Sequence, residues 1–498
     1  MRWVKALPRR LACALLLAPA LVLAGADRLA AWRADGWYTD AAAAWTEARA
    51  SGRPVFLYFH APWCTWCQRY ERETLRRPQV MAALRRHTVP LVLDYDSHTH
   101  LFARYGGRGL PFSVLLAAPD RVLTAFTGIL GPEDLVRLVA APAPRPPPPA
   151  AALRPAAPDA RGLAAFRAAF LAHLDGLYDP EAGTLAGRYE TGAGLKRSQP
   201  LTWLWLMEQG LWRERARRAA REEAARLLDR LDGGLFYYVD PHRPDRHLET
   251  AKLLEHNAWM LAWLSRSGEP AARRAAWLAW IFLREVLWDR DRCGFGRALP
   301  ADAAYYALPP AVRLARDGPA PDLTLRADLN AQAALALLRA AIPAPAERRR
   351  FAAAALDCVL ARLLADGHLH HLARGSRLSE TRDLPADLLW VLAAGAAVQA
   401  AAPDAARAAK LGQVRRRAAA WIRRRLAAGT LPPDPALAPL LAYACAADPA
   451  LPRACLPFAV RRLALAPDTR PDWLVPGLWG WARWLQGRGE WRGVRGEG

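Results

Sequence analysis

The chain predicts two folded parts of different class: an α/β domain with a central mixed sheet and flanking helices, then an all-α toroid of helical hairpins. Three stretches of its 498 residues carry this reading. Residues 55–59, Val-Phe-Leu-Tyr-Phe, are apolar and aromatic without a break, as a buried strand is, and Cys64 and Cys67 follow where a helix begins. Residues 141–160, APAPRPPPPAAALRPAAPDA, hold too much proline to pack and read as a semi-rigid spacer. Beyond them Ala, Leu, Arg and Trp dominate with hardly any strand-like alternation. Glycine-bearing turns recur there about every fifty to seventy residues, room for two helices each.

The α/β part is expected over residues 35–140. Its pattern runs helix (41–50), strand (55–59), helix (64–76), strand (89–95), helix (98–105), strand (113–116), strand (122–126) and helix (132–139). Pro62 closes the turn after the first strand. Cys64 and Cys67 then fall on the first turn of a helix, where unpaired backbone N–H groups and the helix dipole favour a thiolate. Cys64 is the expected nucleophile, and Cys67, one turn deeper on the same face, the thiol that resolves the mixed disulfide. A structural zinc site needs four ligands, and His60, His87, His98 and His100 offer only an H-x-H pair, so redox chemistry is favoured and no metal is expected.

These segments resemble the thioredoxin superfamily, in particular thioredoxin-like domains that begin with a helix and carry WC..C....E..T...P.V. The matching residues are Trp63, Cys64, Cys67, Glu71 or Glu73, Thr74, Pro78 and Val80. The resemblance implies a cis bond at Leu110–Pro111 beside the redox pair, with Pro111 shaping the substrate groove and Trp63, Trp66 and Leu110 as substrate-contact residues. The pattern departs at one position. Six residues before the first cysteine, where many thioredoxins hold a buried acid that assists proton transfer, this chain has Tyr58.

With 53% hydrophobic and 23% charged residues the chain is globular, and both parts can bury cores. The net charge of +22 is carried almost wholly by arginine. The arginines are spread over many helices at solvated spacings with no aromatic-interleaved groove, so no nucleic-acid partner is expected. Outside the CxxC pair, Cys13, Cys293, Cys358, Cys445 and Cys455 show no framework spacing; Cys445 and Cys455 are able to pair, but buried thiols are the expectation. Residues 1–26 have the layout of a signal peptide or membrane anchor. Arg2, Lys5, Arg9 and Arg10 precede an apolar run over 11–23 and a small-residue site at Ala24-Gly25-Ala26. That layout predicts a periplasmic or otherwise extracytoplasmic location.

The helical part is expected over residues 161–498, its turns marked by Asp179 to Gly183, Asp232-Gly233-Gly234, Asp289 to Gly296, Asp366-Gly367 and, more weakly, Gly429. Closed on itself, such a chain of hairpins gathers like turns at one end of a toroid around a cleft. The order of motifs, Gly233-Gly234-Leu235-Phe236, Lys252-Leu253-Leu254 with Asn257-Ala258, Gly294-Phe295-Gly296, Asp328-Leu329-Asn330-Ala331 and Leu384-Pro385-Ala386-Asp387, is similar to the spermatogenesis-associated protein 20 type, the DUF255 group, of which the chain reads as a divergent relative. Their second domain resembles six-hairpin (α/α)6 glycosidases and sugar epimerases.

Glu249, Lys252 and His256 have the spacing of one helix face, beside Asn257. Asp328 and Asn330 open a helix, and Glu249 and Asp387 are the carboxylates considered for hydrolysis. Glu249, Lys252, Asn257, Asp328, Asn330 and Asp387 are therefore the candidate contacts of this part. His368, His370 and His371 read as a solvated turn.

The expected function is an exported thiol-disulfide oxidoreductase acting on a protein disulfide through Cys64, Cys67 and Pro111, joined to a helical domain that binds a partner or substrate. The alternative is a carbohydrate-acting or sugar-binding toroid whose first domain is structural or a redox sensor. No cofactor is expected in either case, and the expected partner is a protein thiol or disulfide, with a carbohydrate ligand as the alternative.

Overall fold

The computed structural model describes residues 28–141, 152–155, 157–186, 197–239, 247–466 and 469–490. The expected signal or anchor segment at 1–26 lies outside them. No helix among the described residues is long and apolar enough to cross a membrane. The described residues divide into two compact units, the first holding residues 28–141 and the second beginning at residue 152.

The first unit runs α1 (Ala30–Ala34), α2 (Ala41–Ser51), β1 (Val55–His60), α3 (Thr65–Tyr70), a π-helical turn (Glu71–Leu75), α4 (Pro78–His87), β2 (Val89–Asp94), α5 (Thr99–Arg104), β3 (Phe112–Ala118), β4 (Arg121–Thr127) and α6 (Pro132–Ala140). The sheet order is β2-β1-β3-β4, with β1 and β2 parallel and the other pairs antiparallel. β1 is central and buried at every position because its alternate side chains enter opposite cores. Phe56 and Tyr58 pack with Trp32, Tyr70 and Leu84 on one face, Val55, Leu57 and Phe59 with Leu91, Phe112 and Val114 on the other. Two helices escape the sequence pattern. α1 is a short turn anchored by the buried Trp32, and α4 starts at Pro78, a favoured first helical residue, and buries Val80, Met81 and Leu84.

The second unit begins earlier than residue 161. Leu153 and Leu465 exchange two backbone hydrogen bonds of 3.0 Å, and the Asp159 carboxylate accepts the Gly162 N–H at 2.8 Å to cap the first helix. The end of the stretch expected as a semi-rigid spacer is thus packed into the second unit; residues 142–151 and 156 lie outside the described part.

Six outer–inner hairpins follow: α7 (Ala160–Leu177) with α8 (Pro200–Glu208), α9 (Arg213–Leu227) with α10 (Leu254–Leu264), and α11 (Pro270–Phe282) with α14 (Ala327–Arg339), the last connection carrying α12 (Ala303–Tyr306) and α13 (Pro310–Ala315). Then come α15 (Pro345–Arg362) with α16 (Pro385–Ala401), α17 (Ala405–Ala428) with α18 (Leu437–Ala447), and α19 (Cys455–Val460) with α20 (Pro471–Gly487). The inner helices α8, α10, α14, α16, α18 and α20 pack each on the next, and α20 on α8, so the ring closes. Being enclosed, they are apolar nearly all round: every residue of α10 but Glu255 is buried.

The turns between hairpins repeat one construction. Asp179, Asp229 and Asp289 each accept two backbone N–H groups two and three residues on. In the second and third copies an asparagine of the next inner helix locks the turn. Asn257 accepts from Leu235 N–H and donates to Leu235 C=O; Asn330 does the same with Phe295. Disulfides join Cys293 to Cys358 and Cys445 to Cys455, correcting the expectation of buried thiols. Cys293 and Cys358 stand 65 residues apart and are brought together only by the packing of the hairpins.

Candidate functional site

β1 ends at His60, and the chain turns through Pro62 into α3 with Cys64 in the N-cap position. The Cys64 sulfur accepts the Cys67 N–H at 3.2 Å, and the two sulfurs stand 2.6 Å apart, both buried. Burial pushes the Cys67 thiol well up, the Cys64 sulfur beside it adds to the shift, and the Tyr58 hydroxyl opposes it. Leu110–Pro111 is cis as expected. Tyr58 faces Ser113 in the antiparallel β1–β3 register, which carries Pro111 to the end of β1 from which the cysteine turn departs.

Trp63 is buried at this turn, its indole N–H donating to the Asp96 carboxylate at 2.9 Å. Trp66 is half-buried under the Arg69 guanidinium, 5.6 Å from the ring centre. Leu110 packs against the core around Phe59 and Phe112. Behind Cys67 lies a group the sequence reading did not assemble. Glu71 Oε1 accepts from the Tyr58 hydroxyl and from His60 Nδ1, each at 2.8 Å. Its only signal in the sequence is a Glu one helical turn after Cys67.

In the toroid every inner helix follows an outer one, so the six run parallel and their first turns share one end. Asp328 and Asp387 lie there. Arg326 grips Asp328 through Nε–Oδ1 at 3.1 Å and Nη2–Oδ2 at 2.7 Å. His371 Nδ1 approaches both oxygens of Asp387, at 3.0 and 2.8 Å, with both residues fully enclosed. Burial raises the Asp387 carboxyl, with His371 pulling against it. Burial alone would lower His371, but Asp387 outweighs it and the imidazole is raised. Burial would also raise Asp328, but Arg326 and then His371 hold it below the usual carboxylate range. Arg297 bridges onward to Glu255 at 2.9 Å, so cations and carboxylates alternate across this end.

Asp328, His371 and Asp387 offer atoms within 4.8 Å of one another, the geometry of a three-ligand metal group. The bidentate hold of Arg326 on Asp328 places a cation there already and opposes a second one. The three histidines are not a solvated turn, a correction to the sequence reading. His368 pairs with Asp383 at 2.5 Å, His370 Nδ1 donates to Ser379 C=O at 2.6 Å, and His371 is buried. Their partners lie nine to sixteen residues away across a turn, beyond short-motif spacing.

The remaining candidates are not gathered with these. Glu249 and Lys252 lie on short strand pairs ahead of α10, which starts at Leu254, and share no helix face with His256, because residues 248–253 hydrogen-bond to the neighbouring turns. Lys252 is sealed from solvent against Asp229 Oδ2 at 2.7 Å and Gly233 C=O at 2.6 Å. Asn257 and Asn330 have their amides engaged by the turns they lock. Glu249 is buried and accepts the Ala251 N–H at 3.3 Å.

The ring interior is aromatic. Trp259 on α10 and Trp479 on α20 have ring centres 6.4 Å apart although α8 lies between their helices around the ring, so the contact is made on the inner side of the ring. Tyr443 and Trp390 continue the row on α18 and α16.

A family model described as thioredoxin-like matches residues 36–118. No match is found among curated proteins. Among solved structures the chain is similar to the cellobiose 2-epimerase of Spirochaeta thermophila, with 17% identity over 66% of this chain and 86% of that one and a TM-score of 0.43. It is also similar to a D-mannose isomerase, with 12% identity over 67% and 100% of the chains and a TM-score of 0.48. A family 76 glycoside hydrolase (mannosidase) of Bacteroides thetaiotaomicron gives 9% identity over 66% and 99% and a TM-score of 0.41.

Proposed function

We propose, from the thioredoxin-like domain at residues 36–118, that the chain exchanges thiols and disulfides with a protein substrate. The observation that carries this is the Cys64–Cys67 pair, 2.6 Å between sulfurs at the turn from the central strand into α3. Cys64 attacks the substrate disulfide, Cys67 attacks the resulting mixed disulfide, and Pro111 shapes the groove between them. The Cys293–Cys358 and Cys445–Cys455 disulfides support an oxidising, extracytoplasmic location, as the N-terminal segment predicts. A Cys67→Ser chain should accumulate mixed disulfides with its substrate while Cys64→Ser accumulates none; equal trapping by both, or by neither, would contradict the reading.

A second reading concerns the helical unit. One end of its inner helices carries the Arg297–Glu255 and Arg326–Asp328 pairs beside the enclosed His371–Asp387 pair, over an aromatic interior. Balanced donors and acceptors over aromatic faces suit a neutral, hydroxyl-rich ligand such as a carbohydrate, whereas a strongly charged ligand meets like charge whichever its sign. Calorimetric titration with neutral oligosaccharides tests it: binding lost in Asp328→Asn supports the reading, and binding unchanged in that variant contradicts it.

A further inference from the structure

Resolving a mixed disulfide requires Cys67 to lose its proton in a place where burial opposes the thiolate. No acid stands on β1 to receive it, since Tyr58 fills the position six residues before Cys64. The carboxylate comes instead from the helix itself, one turn after Cys67, on the first residue of the π-helical turn Glu71–Leu75. Helical irregularities of this kind are frequent at functional sites.

We propose that Glu71, acting through the Tyr58 hydroxyl, takes up the Cys67 proton as Cys67 resolves the mixed disulfide, with His60 holding Glu71 in position. This rests on the exchange reading and assigns it three further residues. The Tyr58 hydroxyl donates to Glu71 Oε1 at 2.8 Å, and Glu71 stands one helical turn after Cys67 on the same side of the helix. His60 Nδ1 donates to the same Oε1 at 2.8 Å, which fixes the carboxylate against the tyrosine. Tyr58 and Cys67 are wholly buried, and the Glu71 and His60 side chains are 13% and 10% exposed, so Glu71 has a path to solvent that Cys67 lacks. Burial pushes the Tyr58 phenol well up, and Cys67 and Glu71 beside it add to the shift, so Tyr58 passes a proton on and does not ionise.

The groups facing this cluster are Tyr58 and His60 from β1 and Cys64, Cys67 and Tyr70 from α3. α1 contributes the Trp32 ring, which packs on Tyr58 and His60, and the nearby Arg76 pairs with Asp35.

Cys64 thiolate bonds to one sulfur of the substrate disulfide, and the other leaves as a thiolate. The Cys67 proton then passes to the Tyr58 oxygen as the Tyr58 proton passes to Glu71. Cys67 sulfur bonds to Cys64 sulfur, and the second substrate thiolate leaves. The substrate disulfide gains two electrons and the Cys64–Cys67 dithiol loses two. An external dithiol restores the pair.

The test uses the full chain with Cys13→Ser, reduced at the pair and mixed with a chromogenic aryl disulfide in stopped flow. The first aryl thiolate reports attack by Cys64, the second resolution by Cys67. Glu71→Gln and Tyr58→Phe are expected to slow the second phase about 100-fold near neutral pH and move its pH midpoint upward, leaving the first phase within about twofold. Glu71→Asp should retain the wild-type midpoint. If both phases slow together with a loss of thermal stability, or if neither variant moves the pH profile of the second, Glu71 is structural and the relay is overturned. A wild type with no first phase overturns the exchange reading and the relay with it. A normal first phase with an unperturbed second in the variants overturns the relay alone.

Discussion

Lys252 ends on Asp229, Nζ to Oδ2 at 2.7 Å with both side chains sealed from solvent, and Arg313 reaches the same oxygen at 2.7 Å. The cluster lies beneath the rings of Phe236, Phe282 and Tyr306, so water cannot replace a lost partner. Asp229→Ala leaves an ammonium and a guanidinium in a dry pocket and removes the acceptor that folds the turn at Leu231 and Asp232. The expected loss is about 3–5 kcal/mol in urea unfolding. Lys252→Met should cost less, because Arg313 still neutralises Asp229.

The Cys293–Cys358 disulfide closes a loop of 65 residues. Loop-closure entropy assigns such a cross-link about 4 kcal/mol. Cys358→Ala should lower the melting temperature of the helical unit, and mass spectrometry of the alkylated, unreduced chain should find both toroid disulfides.

Asp472 opens α20, and its carboxylate accepts from Thr202 N–H at 2.9 Å and Thr202 Oγ1 at 2.7 Å. Burial pushes its carboxyl up to about 6, with Arg197 pulling against the shift. Between about pH 4 and that value the folded chain holds a proton that the unfolded chain has released. Stability from this group is therefore full below about pH 4 and falls as pH rises through the folded value. Asp472→Asn keeps the acceptor oxygen and removes the titration. Denaturant unfolding should find the variant more stable than wild type by about 1–3 kcal/mol near pH 8, with the difference shrinking toward pH 4.

Much of the first unit was legible because each signal was local. The apolar run at residues 55–59 and the cysteine pair follow one another directly in the chain, the Leu-Pro step came with the family resemblance, and the strand and the cis bond stand where they are expected. The toroid was legible as a class through its recurring glycine turns. Its side chains were not. Lys252 has the pattern of a helix-face residue but precedes the helix, and its partner Asp229 lies 23 residues back. His371 finds Asp387 16 residues on, across a turn that folds back. Glu71 shows the same limit within the first unit: its partners Tyr58 and His60 are on a strand, and helical spacing cannot announce a contact made across elements.

The central claim is that Cys64 and Cys67 form a working redox couple. The direct measurement is thiol trapping of the full chain across a graded dithiol buffer, reading the reduced fraction of the pair. A reversible two-electron transition between about −120 and −270 mV is the predicted result and places the pair among exchange catalysts. A pair that stays wholly reduced or wholly oxidised across the buffer would contradict the account and move the function to the helical unit.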